Sequence, residues 1–422
     1  MRSFALRRRD APTRSAPVSS SRMMHSLQTY PAFRLLLLGT LATNSGFWMY
    51  QVAVGWLALQ LMDSPLFVGL TGFAGGIPML LLSLPAGVII DRYDRRLVLL
   101  ASQCAVMALA AVFAVLVGTG MIAPWSVLVL AFAVGAVMAF IFPTRTTIVT
   151  TLVSREDLAN AVALNAAGQN ATRVTGPALA GVLIALIGLA GTFAVAALLQ
   201  ILALAATWRL PARGAAQTSR GAFGWAGLTV GLRIVTRDAL LVRVILLSLA
   251  TNILVMPYIN LMPVFARDVL GIGSSGLGLL LASTGLGTVA GALWVAHSRR
   301  LAEWSSVTSV TAAVFSALVL VFALTPRVPV AMLLLFVTGV VSAVFLALTQ
   351  TVLQLRVDDE VRGRVLSVYL LTWGMLPIGQ LAVGALANRI GTPLAMVTAC
   401  TLALGCIGAI VWRFPSPAKG SS

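Results

Sequence analysis

The side chains able to do electrostatic work in this 422-residue chain concentrate in one short segment. Gly87-Val88-Ile89-Ile90-Asp91-Arg92-Tyr93-Asp94-Arg95-Arg96 lies between two long uncharged stretches, and a degenerate copy returns half a chain later. Gly87 maps to Gly291, Arg95 to Arg299 and Arg96 to Arg300, while Asp91 becomes Val295. Nothing here is a nucleophile with a base beside it. A carboxylate at a helix end can instead sit against the positive N-terminus of a neighbouring helix, and guanidinium groups can pair with acids across a seam. The chemistry is that of a contact that forms and breaks.

Other chemistries lack their residues. There is no G-x-x-x-x-G-K-[ST] loop for nucleotide phosphates, no H-E-x-x-H and no C-x-x-C. His25 and His297 are isolated, and Cys104, Cys400 and Cys406 all sit in apolar segments, which argues against a disulfide framework or a metal site. No catalytic residue, metal or cofactor is expected, and the chain does not read as an enzyme. Coupling to an ion gradient is the natural energy source, yet no Asp, Glu or His falls mid-span. Asp63 and Asp268 lie toward the outside.

Two cations fall inside apolar runs, where charge is costly. Arg145 lies about 15 Å from the end of its helix at 1.5 Å per residue, so it either snorkels or lines a cavity. Arg173 lies deeper, with Asn170 and Pro177 on the same face. Neutral polar and aromatic residues recur at helical spacing: Asn44, Trp48 and Gln51; Asn252, Met256 and Asn260, with Pro257 able to break the local ladder. Gln350 and Gln354, then Trp373 and Gln380, follow in later segments. Each alone could be an interhelical hydrogen bond of about 0.6 kcal/mol. As a group they suggest the wall of a substrate cavity.

The elements that must carry these residues are membrane helices. The chain is 59% hydrophobic and 10% charged, where a soluble domain carries roughly 25% charged residues. Crossing the hydrocarbon needs about 20 apolar residues. Twelve crossings are expected, near 32–62, 65–90, 96–117, 123–153, 157–187, 190–209, 240–266, 273–297, 303–325, 328–355, 361–388 and 392–413. Of the 29 Lys and Arg residues, only Arg267, Arg327 and Arg389 then fall opposite the tails, with Arg145 and Arg173 inside helices. The positive-inside rule therefore puts both termini in the cytoplasm. It also accounts for the net charge of +17, so no nucleic-acid partner is expected.

The expected organisation is a disordered cytoplasmic tail (1–30), a six-helix bundle (31–209), a linker with an amphipathic helix (210–239), a second six-helix bundle (240–414) and a short tail (415–422). The linker helix reads as lying along the membrane interface. At an offset of 203 the halves align Gly176 with Gly379, Gly181 with Gly384 and Gly188 with Gly391. The fold is thus an all-α membrane protein of two pseudo-symmetric bundles. Pseudo-symmetry sets the elbow against Asp358, Asp359, Glu360, Arg362 and Arg364, and sets Arg299 and Arg300 against Glu156 and Asp157. We expect this set, with Gly87, Asp91, Arg92, Arg95 and Arg96, to be a cytoplasmic gate that closes when the protein opens outward.

Over about residues 31–413 the chain resembles the major facilitator superfamily. The segment Gly87 to Arg96 is similar to its loop 2–3 signature, in the form common in the enterobactin-exporter-like and macrolide-efflux-like branch. Gly176-Pro177-Ala178-Leu179-Ala180-Gly181 is similar to the fifth-helix antiporter motif, and Leu158 to Asn165 also fits that branch. The resemblance implies export of small amphipathic or aromatic molecules, of drug or siderophore type, from a bacterial inner membrane. It also implies a proton counter-ion, a cavity lined by the first, fourth, seventh and tenth helices, and a monomer in the lipid bilayer. Uptake of a nutrient or lipid-like solute, or a transport-dead receptor or scaffold, are the alternatives.

Overall fold

The computed structural model describes residues 25–154, 156–211, 225–297 and 305–415. Arg299 and Arg300, with the rest of the elbow copy's loop, lie outside the described residues. The helices are numbered here by crossing: α1 (Pro31–Met62), α2 (Pro65–Arg92), α3 (Arg95–Gly118), α4 (Pro124–Leu152), α5 and α6 (the two arms of Leu158–Trp208), α7 (Ala239–Val269) and α8 (Gly273–His297). The rest are α9 (Ser305–Ala323), α10 (Val328–Leu355), α11 (Asp359–Gly374 continuing as Leu376–Ile390) and α12 (Thr392–Arg413). Twelve crossings result.

Local sequence sets the helix ends. Proline enters the first turn of α1, α2, α4, α10 and α12, where its missing N–H costs nothing. Asp94 caps α3 by accepting from the Arg96 amide at 2.7 Å, and Asp238 caps α7 by accepting from the Leu240 amide at 2.8 Å. The turns between α5 and α6 and between α11 and α12 are the repeat made visible. Gly188 has φ 71° and Gly391 φ 84°, a region that a side chain disfavours, so both bundles need glycine at the equivalent corner.

Each bundle has its own aromatic core. In the first, Phe113 of α3 stacks on Phe193 of α6 at 4.8 Å, with Tyr50 of α1 edge-on at 5.5 Å. In the second, Tyr258 and Phe265 of α7 meet Phe315 and Phe322 of α9. Helix α7 is irregular: Thr251–Val255 is a π-turn and Met256–Ile259 a 3-10 turn, because Pro257 has no N–H to continue the ladder.

Two connecting segments are more firmly built than the sequence implies. Residues 25–29, assigned above to the tail, form the short helix His25–Thr29, whose Ser26 amide donates to Asn160 at 3.3 Å. The linker helix Trp225–Arg237 docks on protein: Val235 joins a buried cluster with Val352, Val365, Val368 and Tyr369, and Gly231 lies against the Arg364 carbonyl. Asp238 then ties the linker to α10 by accepting from Arg356 at 2.9 Å. Burial of the Asp238 carboxyl would raise its pKa, but the Arg356 hydrogen bond and the Leu240 and Leu241 amides outweigh it and hold it below the usual carboxylate value.

Candidate functional site: the seam between the bundles

The bundles meet along α2–α11 and α5–α8, and the seam is closed on the side away from the elbow. Glycines make the approach possible. A methyl at Gly69 of α2 would lie 2.5 Å from the Gln380 carbonyl oxygen of α11, and one at Gly76 would lie 2.4 Å from Pro377. At the second seam, a methyl at Gly181 of α5 would lie 2.7 Å from the Ser274 carbonyl oxygen of α8, and one at Gly285 of α8 would lie 3.0 Å from that of Arg173. This gives the fifth-helix motif a physical role: Gly181 seats α8, while Gly176 seats the Trp48 side chain of α1.

Polar contacts bridge the same half. Asn260 of α7 donates to the Val68 carbonyl of α2 at 2.9 Å, and Ser64 donates to Asn388 of α11 at 2.8 Å. Arg267, in the last turn of α7, pairs with Asp63, donates to Asp268 at 3.1 Å and reaches the Leu59 carbonyl of α1 at 3.3 Å. Asp63 closes α1 with φ 48°, the only left-handed non-glycine residue among the described residues. Asp63, Ser64, Arg267, Asp268 and Asn388 are site residues that sequence reasoning missed. Their signal was a pair of acids at the far ends of the first and seventh spans.

The elbow half of the seam is open. A methyl at Gly374 of α11 would meet Leu80 of α2, whereas nearer the elbow Gly87 and Gly363 each face open space among the described residues. Asp91, in the last turn of α2, is exposed, as are Arg92 and Glu156. No ion pair joins the elbow to the start of α11 among the described residues. Asp358 stands at the N-cap of α11 without a side-chain cap bond, Asp359 and Glu360 occupy its first turn, and Arg362 donates to the Gln354 carbonyl at 3.2 Å.

Two members of this set have local partners here. Arg96 turns into its own bundle, where it donates to the Trp208 carbonyl at the end of α6 and lies 5.6 Å over the Trp208 ring. Arg95 is partly buried beside it. Asp157 accepts from Tyr30 at 2.8 Å, with His25 3.8 Å away.

The polar residues marked for the cavity separate into three groups. Arg145 is buried, 5% exposed, and its guanidinium donates to the Gly39 carbonyl at 3.0 Å, to the Thr40 carbonyl at 3.4 Å and to Thr43. Thr43 in turn donates to Gln200 of α6 at 3.1 Å, so Arg145 is tied inside its bundle. Asn252 likewise donates to Thr372 within the second bundle, at 3.3 Å, and Asn44 is buried. Asn260 and Gln380 sit in the closed seam beside Gly72. The third group is less enclosed: Trp48, Asn170, Arg173, Met256 and Trp373 are half-buried, and Gln51, Gln350 and Gln354 are exposed. Within it, the Arg173 guanidinium lies 5.3 Å from the centre of the Trp48 ring. No group of His, Cys, Asp and Glu among the described residues could hold a metal ion.

Twelve spans in two related bundles, packed along two helix seams that are closed at one end and open at the other, define a major facilitator transporter. The chain belongs to the transmembrane secretion effector family of that superfamily, whose model matches residues 26–421. It is 30% identical to the multidrug efflux pump Tap of Mycobacterium tuberculosis, over 92% of this chain and 94% of the pump. It is 24% identical to the staphyloferrin A transporter of Staphylococcus aureus, over 82% of this chain and 87% of that protein. Among solved structures, a bacterial homologue of the lysosomal transporter Spinster in an inward-facing, unoccupied conformation superposes with a TM-score of 0.70 at 16% identity. It covers 92% of this chain and 99% of its own. A POT family transporter in complex with 5-aminolevulinic acid gives 0.72 at 12% identity, covering 92% and 96%.

Proposed function

We propose that this protein exports small amphipathic or aromatic molecules, of drug or siderophore type, by alternating access in exchange for protons. In this reading the elbow faces the cytoplasm of a bacterial cell, both termini lie on that side, and the structure is the state open to the cytoplasm. The observation that carries it is the asymmetry of the seam. Glycine contacts and three polar bridges close one half, while toward the elbow Gly87 and Gly363 face open space among the described residues. A scaffold freed from alternating access has no use for a set of charges kept ready at an open mouth. The likeness to an efflux pump over nearly the full length supports the outward direction.

The test is transport into everted membrane vesicles with an acid-inside gradient. Aromatic and amphipathic dyes should accumulate, and collapse of the gradient should release them. Accumulation only in right-side-out vesicles would establish uptake, and saturable binding without flux would establish a receptor.

A further inference from the structure

We infer that Arg173 is the anchor for a carboxylate of the transported molecule, held edge-on toward the space between the bundles by the Trp48 ring. This rests on the reading above that a small molecule occupies that space.

Arg173 stands midway between Leu158 and the Gly188 corner, at the centre of a helix that crosses the membrane. From there an arginine side chain cannot reach either surface. Such a charge is retained only against a cost and needs a partner. Every acid among the described residues lies in a loop or at a helix end, so none of their carboxylates reaches it at that depth.

Two other buried arginines show what a structural solution looks like. Arg145 is met by two carbonyls and a hydroxyl of α1. Arg243 is met by Ser309 at 2.7 Å and by the Phe414 carbonyl at 3.3 Å, which caps α12. Arg173 differs in kind. Its contact is an aromatic face, and no hydrogen-bond acceptor for its guanidinium is found among the described residues.

Geometry then selects the ligand. An aromatic face takes no in-plane N–H bond, so a guanidinium held over a ring keeps its N–H fork for a ligand, and that fork takes both oxygens of a carboxylate at once. The platform is fixed: Gly176 lets the Trp48 side chain press against α5, and Phe47 holds the indole edge-on at 5.7 Å. Tyr258 of α7, in the other bundle, lies within electrostatic reach of Arg173 and beside Thr284 of α8. With its backbone carbonyl packed against Gly285 of α8, Arg173 stands at the α5–α8 seam, where a ligand held by both bundles must lie. An anion bound there also lowers the cost of the buried charge, which couples occupancy to the packing of α5 on α8.

The test uses the purified full-length protein and two probes that differ only in the group at issue, 2-naphthoate and its neutral amide 2-naphthamide, in equilibrium dialysis at neutral pH. Wild type should prefer the naphthoate by roughly tenfold, the scale of one bidentate charge-assisted pair. R173Q should bind the two alike, and R173K should keep a reduced preference. A second readout is independent of any ligand: R173M should melt at or above the wild-type temperature, because it removes a charge without a partner, whereas R145M should melt lower. Equal binding of the two probes by wild type, a preference retained in R173Q, or an R173M protein that melts as low as R145M would each overturn the proposal. Vesicle transport without carboxylate preference would refute the anchor and leave export standing. Carboxylate-selective binding without flux would do the reverse.

Discussion

Arg267 and Asp63 join the two bundles at the face opposite the elbow. The guanidinium in the last turn of α7 takes the carboxylate of the residue that closes α1, and also donates to the Leu59 carbonyl, which accepts a second bond from the Asp63 amide. One side chain thus bonds across the seam to both a carboxylate and a helix-end carbonyl. Neither contact can survive separation of α1 from α7 on that face. It is a latch for the state observed.

Because Asp63 is largely exposed, the latch should be modest, on the order of 0.2–1 kcal/mol for such a pair. R267Q should therefore shift the balance of states a few-fold toward opening on this face, without loss of folding. Spin labels placed on the far ends of α1 and α7 would report it as a larger population at long distance. An unchanged distance distribution would mean that the glycine contacts alone hold the closure.

Those contacts leave no room for a side chain. G69V should prevent α2 from reaching the Gln380 carbonyl, and G181V should keep α5 off Ser274, so each should block closure of one seam. The expected result is a folded protein with transport reduced by an order of magnitude or more and the far face persistently reactive to impermeant thiol reagents. G87A, at a glycine that faces open space in this state, tests the opposite end: it should leave the far-face reactivity unaltered.

The fold was legible because its signals are local and repeated. Apolar runs of spanning length, proline at helix starts and glycines at one offset give twelve spans and two halves, and Gly188 and Gly391 turn the chain at equivalent corners. The seam was less legible. The glycines of α2, α5 and α11 showed the repeat but not their partners, because close approach of two backbones leaves no mark on the residue that is approached. Arg145 read equally as snorkelling or cavity-lining, and it does neither here; it bonds carbonyls of a helix more than a hundred positions away. Arg267 and Asp63 come from opposite halves of the chain, so no spacing connects them. The linker helix has an amphipathic pattern that fits a membrane surface and a protein groove equally well, and only the position of α11 decides between them.

The linker offers a pH-dependent test. Asp238 holds its proton less tightly than an ordinary carboxyl, so the folded state favours the charged form. Its contribution should be complete above the unfolded value of about 4 and disappear as pH falls through the lower folded value. Protease cleavage within the linker should accordingly rise in acid for wild type. D238N should be cleaved faster at neutral pH and show little further change on acidification. If D238N matches wild type at neutral pH, the Arg356 contact does not hold the linker.

At the elbow, Asp91 and Arg96 should behave differently although they lie five residues apart. Asp91 is exposed in this state, so D91N should fold, insert and melt like wild type. If the carboxylate meets the start of α11 when the elbow side closes, D91N should nonetheless lose most transport, with the defect in the return to the closed form. Arg96 is already bonded to the Trp208 carbonyl, one of those the end of α6 leaves without a helical partner. R96A should therefore lower the melting temperature, by the equivalent of about 1–3 kcal/mol for a hydrogen bond to a charged group, before it affects any gate. Measuring melting and vesicle transport on both variants separates the two roles. Full transport by D91N at normal expression would remove the carboxylate from the gate, and a wild-type melting curve for R96A would free Arg96 to serve in it.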